Sequence, residues 1–164
     1  MPSKNFDIST LITDRSASDV DRVRKLTAKI VSGTATKEEL AEFNAASEKG
    51  AYNYADLNRV GIAVKYLSDL LNGHGYNVSP FVKTDWEEDD YPTGADIISY
   101  LSGISAIRNA FAVMKSTPKA PPDMAGLTHT EANNIEKILV DIDLLFKNSM
   151  SAWLYSGDVF SGEV

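Results

Sequence analysis

The sequence predicts an all-α protein: about five amphipathic helices in a compact bundle, with an extended N-terminal arm and an extended C-terminal tail. Three observations carry that expectation. Apolar residues recur at steps of three and four over separate stretches, which lays them along one face of a helix. Hydroxyl residues paired with acids at or near the third position, the pattern that satisfies orphan N-terminal donors, open four of the stretches. Glycine- and proline-bearing polar segments separate them. The 164 residues, 43% of them hydrophobic, suit one domain able to bury a core.

Residues 1–15 form the arm, in which Phe6, Ile8 and Leu11-Ile12 make a short apolar alternation. That alternation fits a short strand or an arm pairing with another surface. Ser16 to Ser18 then offer N-cap hydroxyls with Asp19 and Asp21 in the first turn, followed by Val20, Val23, Leu26 and Ile30 on one face. Gly33 ends this helix. Thr36 and Glu39 form a capping box for a second helix through Leu40 and Phe43 to about Gly50. The third helix runs from Tyr54 or Ala55 to Asn72 on Leu57, Val60, Val64, Leu67 and Leu71. Ile62, Tyr66 and Leu70 widen its stripe, so cover on more than one side is expected. Residues 76–92 read as a loop containing Trp86 and the acidic run Glu87 to Asp90.

Thr93 with Asp96 opens a fourth helix bearing Ile97, Leu101, Ile104, Ile107 and Phe111. The prolines between Ser116 and Asp123 forbid helix there. Thr128 with Glu131 caps a fifth helix carrying Ile135, Ile138, Leu139, Ile142, Leu145, Phe146 and Met150. The expected organisation is an arm (1–15), a bundle joined by short polar loops (16–153) and a tail (154–164). In the tail, Tyr155-Ser-Gly-Asp-Val159 is repeated as Phe160-Ser-Gly-Glu-Val164. Each glycine costs a helix about 1 kcal/mol against alanine, so the tail is expected to be extended, either frayed or docked through its aromatic and valine side chains.

The charge of -7 argues against a nucleic-acid partner, which needs a concentrated cationic face. The one basic stretch, Arg22 to Lys25, follows Asp19 and Asp21 and reads as a solvated helix face. With no cysteine, thiolate chemistry and Cys-based metal sites are excluded. Met1 to Asp7 lacks an apolar run, so no secretory leader is expected, and no stretch approaches the roughly 20 apolar residues of a membrane span.

His74 and His129 lie apart, without the spacing of a metal pair. Asp85 to Asp96 imitates a calcium loop, but Asp90 stands where the sharp turn wants glycine and Pro92 intrudes. Phosphate-loop and nucleophile-elbow patterns are missing. Asp141 and Asp143 are two apart on a helix and point to different faces. No enzyme activity, cofactor or metal is expected. The aromatics Tyr52, Tyr54, Trp86, Tyr91, Trp153, Tyr155 and Phe160 fall at helix ends and in loops, where they serve either packing or contact.

Several segments together are distinctive: Leu11 to Arg15 with Asp19 to Arg22, Gly50 to Val60, Lys83 to Trp86, Asn133 to Leu139, and the closing Ser-Gly-acid pairs. Through them, from about residue 11 to 164, the chain resembles small helical proteins and domains encoded in prophages of Gram-positive bacteria, among tail, baseplate and tail-fibre genes. The resemblance implies a non-enzymatic structural component of a phage tail, baseplate or fibre attachment. It would sit in the virion after assembly in the host cytoplasm, with other tail proteins and copies of itself as partners, and with no catalytic residues. On that reading Phe6 and Ile8 at one end, and Tyr155, Val159, Phe160 and Val164 at the other, engage neighbours. The alternative is a host-surface carbohydrate-binding module stacking sugar on Trp86 and Tyr91.

Overall fold

A computed structural model describes residues 6–158, with side chains described except at 45–48 and 153–158. It is all-helical: α1 (Ala17–Val31), α2 (Lys37–Gly50), α3 (Tyr54–Asn72), α4 (Gly94–Ala110) and α5 (His129–Asp158), preceded by a 3-10 turn at Ile8–Thr10. Each helix starts where a polar side chain can replace the missing intrahelical acceptor. Ser16 and Asp19, Thr93 and Asp96, and Asn53 and Asp56 form reciprocal capping boxes. Thr36 with Glu39 and Thr128 with Glu131 make the same pair of bonds. The box at Asn53 sets the start of α3, which apolar spacing alone leaves between two residues.

The helices α3, α4 and α5 run parallel. Going up the chain, Arg59 of α3 meets Glu136 of α5, Tyr66 donates to Asp143 at 3.1 Å, and the His74 ring packs 4.9 Å from Phe146. Phe111, just past the end of α4, joins Phe146 at the same level. Parallel neighbours oblige the chain to travel back along the bundle between them, and a 19-residue helix spans roughly 28 Å. Two connections, 73–93 and 111–128, make those journeys, so the expected short loops are here long return segments. Both are built into the fold.

The first return is fastened to α3 at two points. Near the end of α3, Asn72 accepts from Val78 N (2.8 Å) and donates to Val78 O (2.6 Å). Near its start, Asn58 accepts from Trp86 N (2.7 Å) and donates to Trp86 O (2.8 Å). Between these clips the strap lies in a trough floored by glycine. A Cβ on Gly61 would stand 2.7 Å from the Lys83 carbonyl oxygen, and one on Gly103 2.8 Å from a Val82 methyl. The second return is held by Arg108, which donates to the Pro118 carbonyl, and by buried Thr117, which donates to Asp141 at 2.8 Å.

The core follows the expected stripes: Leu57, Val60, Val64, Leu67 and Leu71 from α3, Leu101, Ile104 and Ile107 from α4, and Ile135, Ile138, Leu139, Ile142 and Phe146 from α5, with Leu145 only half-buried. Leu11, Val78 and Trp86 complete it. Ile62 departs from expectation and faces solvent, while Tyr66 and Leu70 are half-buried. The α1–α2 hairpin stands apart from this cluster. Val23 and Leu26 are buried, and Arg22–Glu42 and Lys29–Glu39 ion pairs tie the two helices together. The architecture is therefore a three-helix core carrying a helical hairpin.

The two ends differ from the sequence expectation. Of the expected N-terminal arm, residues 6–15 are described, and they pack on the chain's own bundle. Asp7 caps the 3-10 turn, Leu11 enters the core, and Phe6 and Ile8 pack half-buried against it. At the other end α5 continues to Asp158, so residues 154–158 are helical where an extended tail was expected. One glycine costs about 1 kcal/mol, too little to stop a helix of 30 residues at Gly157. The remainder of the expected tail, including Val159, Phe160 and Val164, lies outside the described residues.

Candidate interaction surface

Four charged side chains meet beneath the N-terminal segment: Arg15, Asp56 and Arg59 of α3, and Glu136 of α5. Arg15, Asp56 and Glu136 are buried, and the Arg59 side chain is 18% exposed. Glu136 Oε1 accepts from Arg15 Nη2 at 2.5 Å and Arg59 Nη2 at 2.9 Å, while Oε2 accepts from the Ile12 amide at 2.6 Å. Asp56 Oδ1 accepts from Arg15 at 2.8 Å and also from Arg59, and Oδ2 takes the Asn53 amide of the capping box. Asn133 holds the Arg15 backbone from both sides, at 2.9 Å each.

Burial raises the Asp56 carboxyl above its ordinary range, against the pull of the Asn53 amide and the two guanidinium groups. Burial works against the charge on Arg59, but Glu136 and Asp56 outweigh it and hold the guanidinium more firmly protonated. Beside the cluster, the Tyr52 and Tyr100 hydroxyls share a 2.6 Å hydrogen bond, and burial raises both phenols.

Every carboxylate oxygen in this cluster already accepts from a donor of the chain. That saturation suits a clasp that fixes residues 11–15, since a general base must offer an oxygen to its substrate. Asp141 and Asp143, expected on different faces, indeed take different partners: Thr117 and Lys137 for the first, Tyr66 and Lys147 for the second. Among the described residues, no group of three or more His, Asp or Glu is placed to hold a metal, and no helix is long and apolar enough to cross a membrane.

The residues singled out for contact separate into three groups. Phe6 and Ile8 are spent within the chain, the Phe6 ring lying 6.0 Å from that of Tyr66. Trp86 is likewise internal, only 7% exposed, with the Lys83 ammonium 4.2 Å from its ring. Tyr91 is 88% exposed and so reads as surface. Trp86 and Tyr91 therefore do not form a two-ring sugar platform. The Tyr155 side chain, Val159, Phe160 and Val164 fall outside what the structure describes.

Sequence reasoning missed the clasp, although its parts carry a signal. Asp56 falls four and eleven residues before Val60 and Leu67, and Glu136 three before Leu139, so both acids sit on buried helical faces. A carboxylate there demands a buried partner.

One open groove runs along α4. Pro92, Ile98 and Leu101 on one side, with Pro121, Pro122 and Met124 of the second return on the other, line a groove of about 1050 Å³. Ile98 is 69% exposed on its rim, and Tyr91 stands next to Pro92. Ser102, Ser105, Asn109 and Asp123 share its lining, so the groove is mainly apolar with polar groups interspersed. Comparison of the chain with protein-family models, with curated proteins and with solved structures finds no match in any of the three.

Proposed function

We propose that this chain is a non-catalytic building part of a phage tail, baseplate or fibre-attachment assembly, acting in the virion through contacts with other tail proteins and with copies of itself. The observation that supports the reading is the open, mainly apolar groove along α4, lined in part by exposed Ile98 and by Pro92, whose neighbour Tyr91 is also exposed. Burying such side chains against a partner returns roughly 25 cal/mol per Å². Phe6 and Ile8 have no part in it, because they are already used inside the fold.

The test is particle assembly in the producing bacterium, read by mass spectrometry of purified particles. Wild-type protein should be found in them. Ile98→Glu, which puts a charge on an exposed rim position, should fold with unchanged helicity and be absent from particles. Particles that lack the wild-type chain, or that take up Ile98→Glu normally, overturn the proposal.

A further inference from the structure

Because α3 and α4 run parallel beside α5, their C-terminal ends arrive at one place, and four aromatic rings meet there. Tyr76 and Phe111 have centroids 5.3 Å apart with planes at 78°, Phe111 and Phe146 are 5.6 Å apart at 62°, and Tyr76 and Phe146 are 6.4 Å apart at 75°. His74 stands 4.9 Å from Phe146 at 72°. With Ser149 and Met150 these rings line a cavity of about 140 Å³. Phe146 is 2% exposed and Tyr76 37%, so the cavity has a buried floor and an open wall.

Steeply inclined rings around one space can turn several π-faces toward a common point, and a face attracts positive charge within about 6 Å of its centroid. A helix end adds to the same sign. The last carbonyls of α3 are already taken, those of Asp69, Leu71 and Asn72 by backbone amides and that of Leu70 by the His74 ring, so it is the negative end of α4, at Phe111, that contributes here. The His74 Nδ1–H donates to the Leu70 carbonyl at 2.9 Å, which turns the imidazole onto the helix end as a wall of the cavity. None of the lining side chains is a lysine or arginine that would supply the missing charge.

Volume narrows the ligand. A cavity of this order holds a group about the size of benzene, as known apolar cavities of ~150 Å³ do. A bare ammonium ion would give up its water for too few acceptors, and a neutral alkyl group would leave the field unused. A methylated ammonium group fits both demands: its methyls contact ring faces and Met150, and its charge is spread and weakly hydrated.

We propose that the cavity between His74, Tyr76, Phe111, Phe146 and Met150 binds a small quaternary ammonium group, as carried by choline or trimethyl-lysine. This site is separate from the α4 groove and does not rest on an assembly role.

The experiment is an NMR titration of the full chain, following the Met150 methyl and the Tyr76 and Phe111 ring signals. The probes are choline, trimethyl-lysine and 3,3-dimethylbutan-1-ol, the uncharged carbon isostere of choline. Saturable shifts are expected with at least one of the two cations, and the tighter of them assigns the source of the group. Binding of the isostere should be about tenfold weaker or more, the ratio that corresponds to the attraction of a desolvated cation for ring faces. Tyr76→Leu, at a half-open position, should keep the helical circular-dichroism spectrum of the folded chain and lose the shifts, whereas Ile98→Glu should retain them. Equal binding of the isostere, binding that survives Tyr76→Leu, or no saturable shift with either cation overturns the proposal.

Discussion

Glu136 shows how much one side chain can organise. It reaches two guanidinium groups and the Ile12 amide from the middle of an otherwise apolar face of α5. Removing one partner from a buried ion cluster strands the others, at about 3–5 kcal/mol. Glu136→Ala should therefore lower unfolding stability by roughly that amount in urea titration, with the slope unchanged. Arg15→Ala, which leaves buried Asp56 and Glu136 with Arg59 as their one remaining guanidinium, should also lower global stability, and amide exchange at Ile12 should accelerate beyond that at Ile138 because the Ile12 carbonyl loses its Arg15 donor. Three of the distinctive sequence segments, Leu11 to Arg15, Gly50 to Val60 and Asn133 to Leu139, converge on this clasp, and a fourth, Lys83 to Trp86, is clipped to Asn58 beside it. Their distinctiveness was visible in the sequence. Their convergence was not, because residues 15, 56 and 136 are brought together only by tertiary folding.

The helices themselves were legible because caps and apolar spacing act over a few residues. The cap carboxylates also make the elements sensitive to acid. Hydrogen bonds from Ser16 to Asp19, from Thr93 to Asp96 and from Thr128 to Glu131 hold these three groups below their ordinary values. A depressed folded pKa means the stabilisation is complete above the unfolded value, about pH 4, and is lost as pH falls through the folded one. Helicity followed by circular dichroism should decline below about pH 4, and Asp96→Asn should flatten that decline. The direction of each helix was not legible, since local patterns are the same for parallel and antiparallel neighbours. Nor was the strap. Trp86 read as a loop aromatic until Asn58 was seen to pin it inward. Gly61→Ala should cost about 1–3 kcal/mol by pushing the Lys83 backbone away. Gly103→Ala should cost less, because the Val82 methyl it meets belongs to a side chain that can turn.

At the scale of the molecule, the division into a three-helix core and a hairpin has a thermodynamic signature. The hairpin buries Val23 and Leu26, whereas the core buries residues such as Val60, Ile104 and Ile138 completely. Less apolar burial means a lower free energy of local opening. Amide protection measured by hydrogen exchange should be markedly lower through α1 than through α3 and α5. Equal protection throughout would mean that the two parts open as one.

The length of α5 has a mechanical consequence. It begins near the clasp, passes the last turns of α3 and α4 at Phe146, and continues twelve residues, roughly 18 Å, to Asp158. A pull along the axis of α5 would load its side-by-side seams with α3 and α4 in shear, so their contacts must yield together and not one after another. Tension along the helix axis would reach the ionic knot at Glu136 through a single rod.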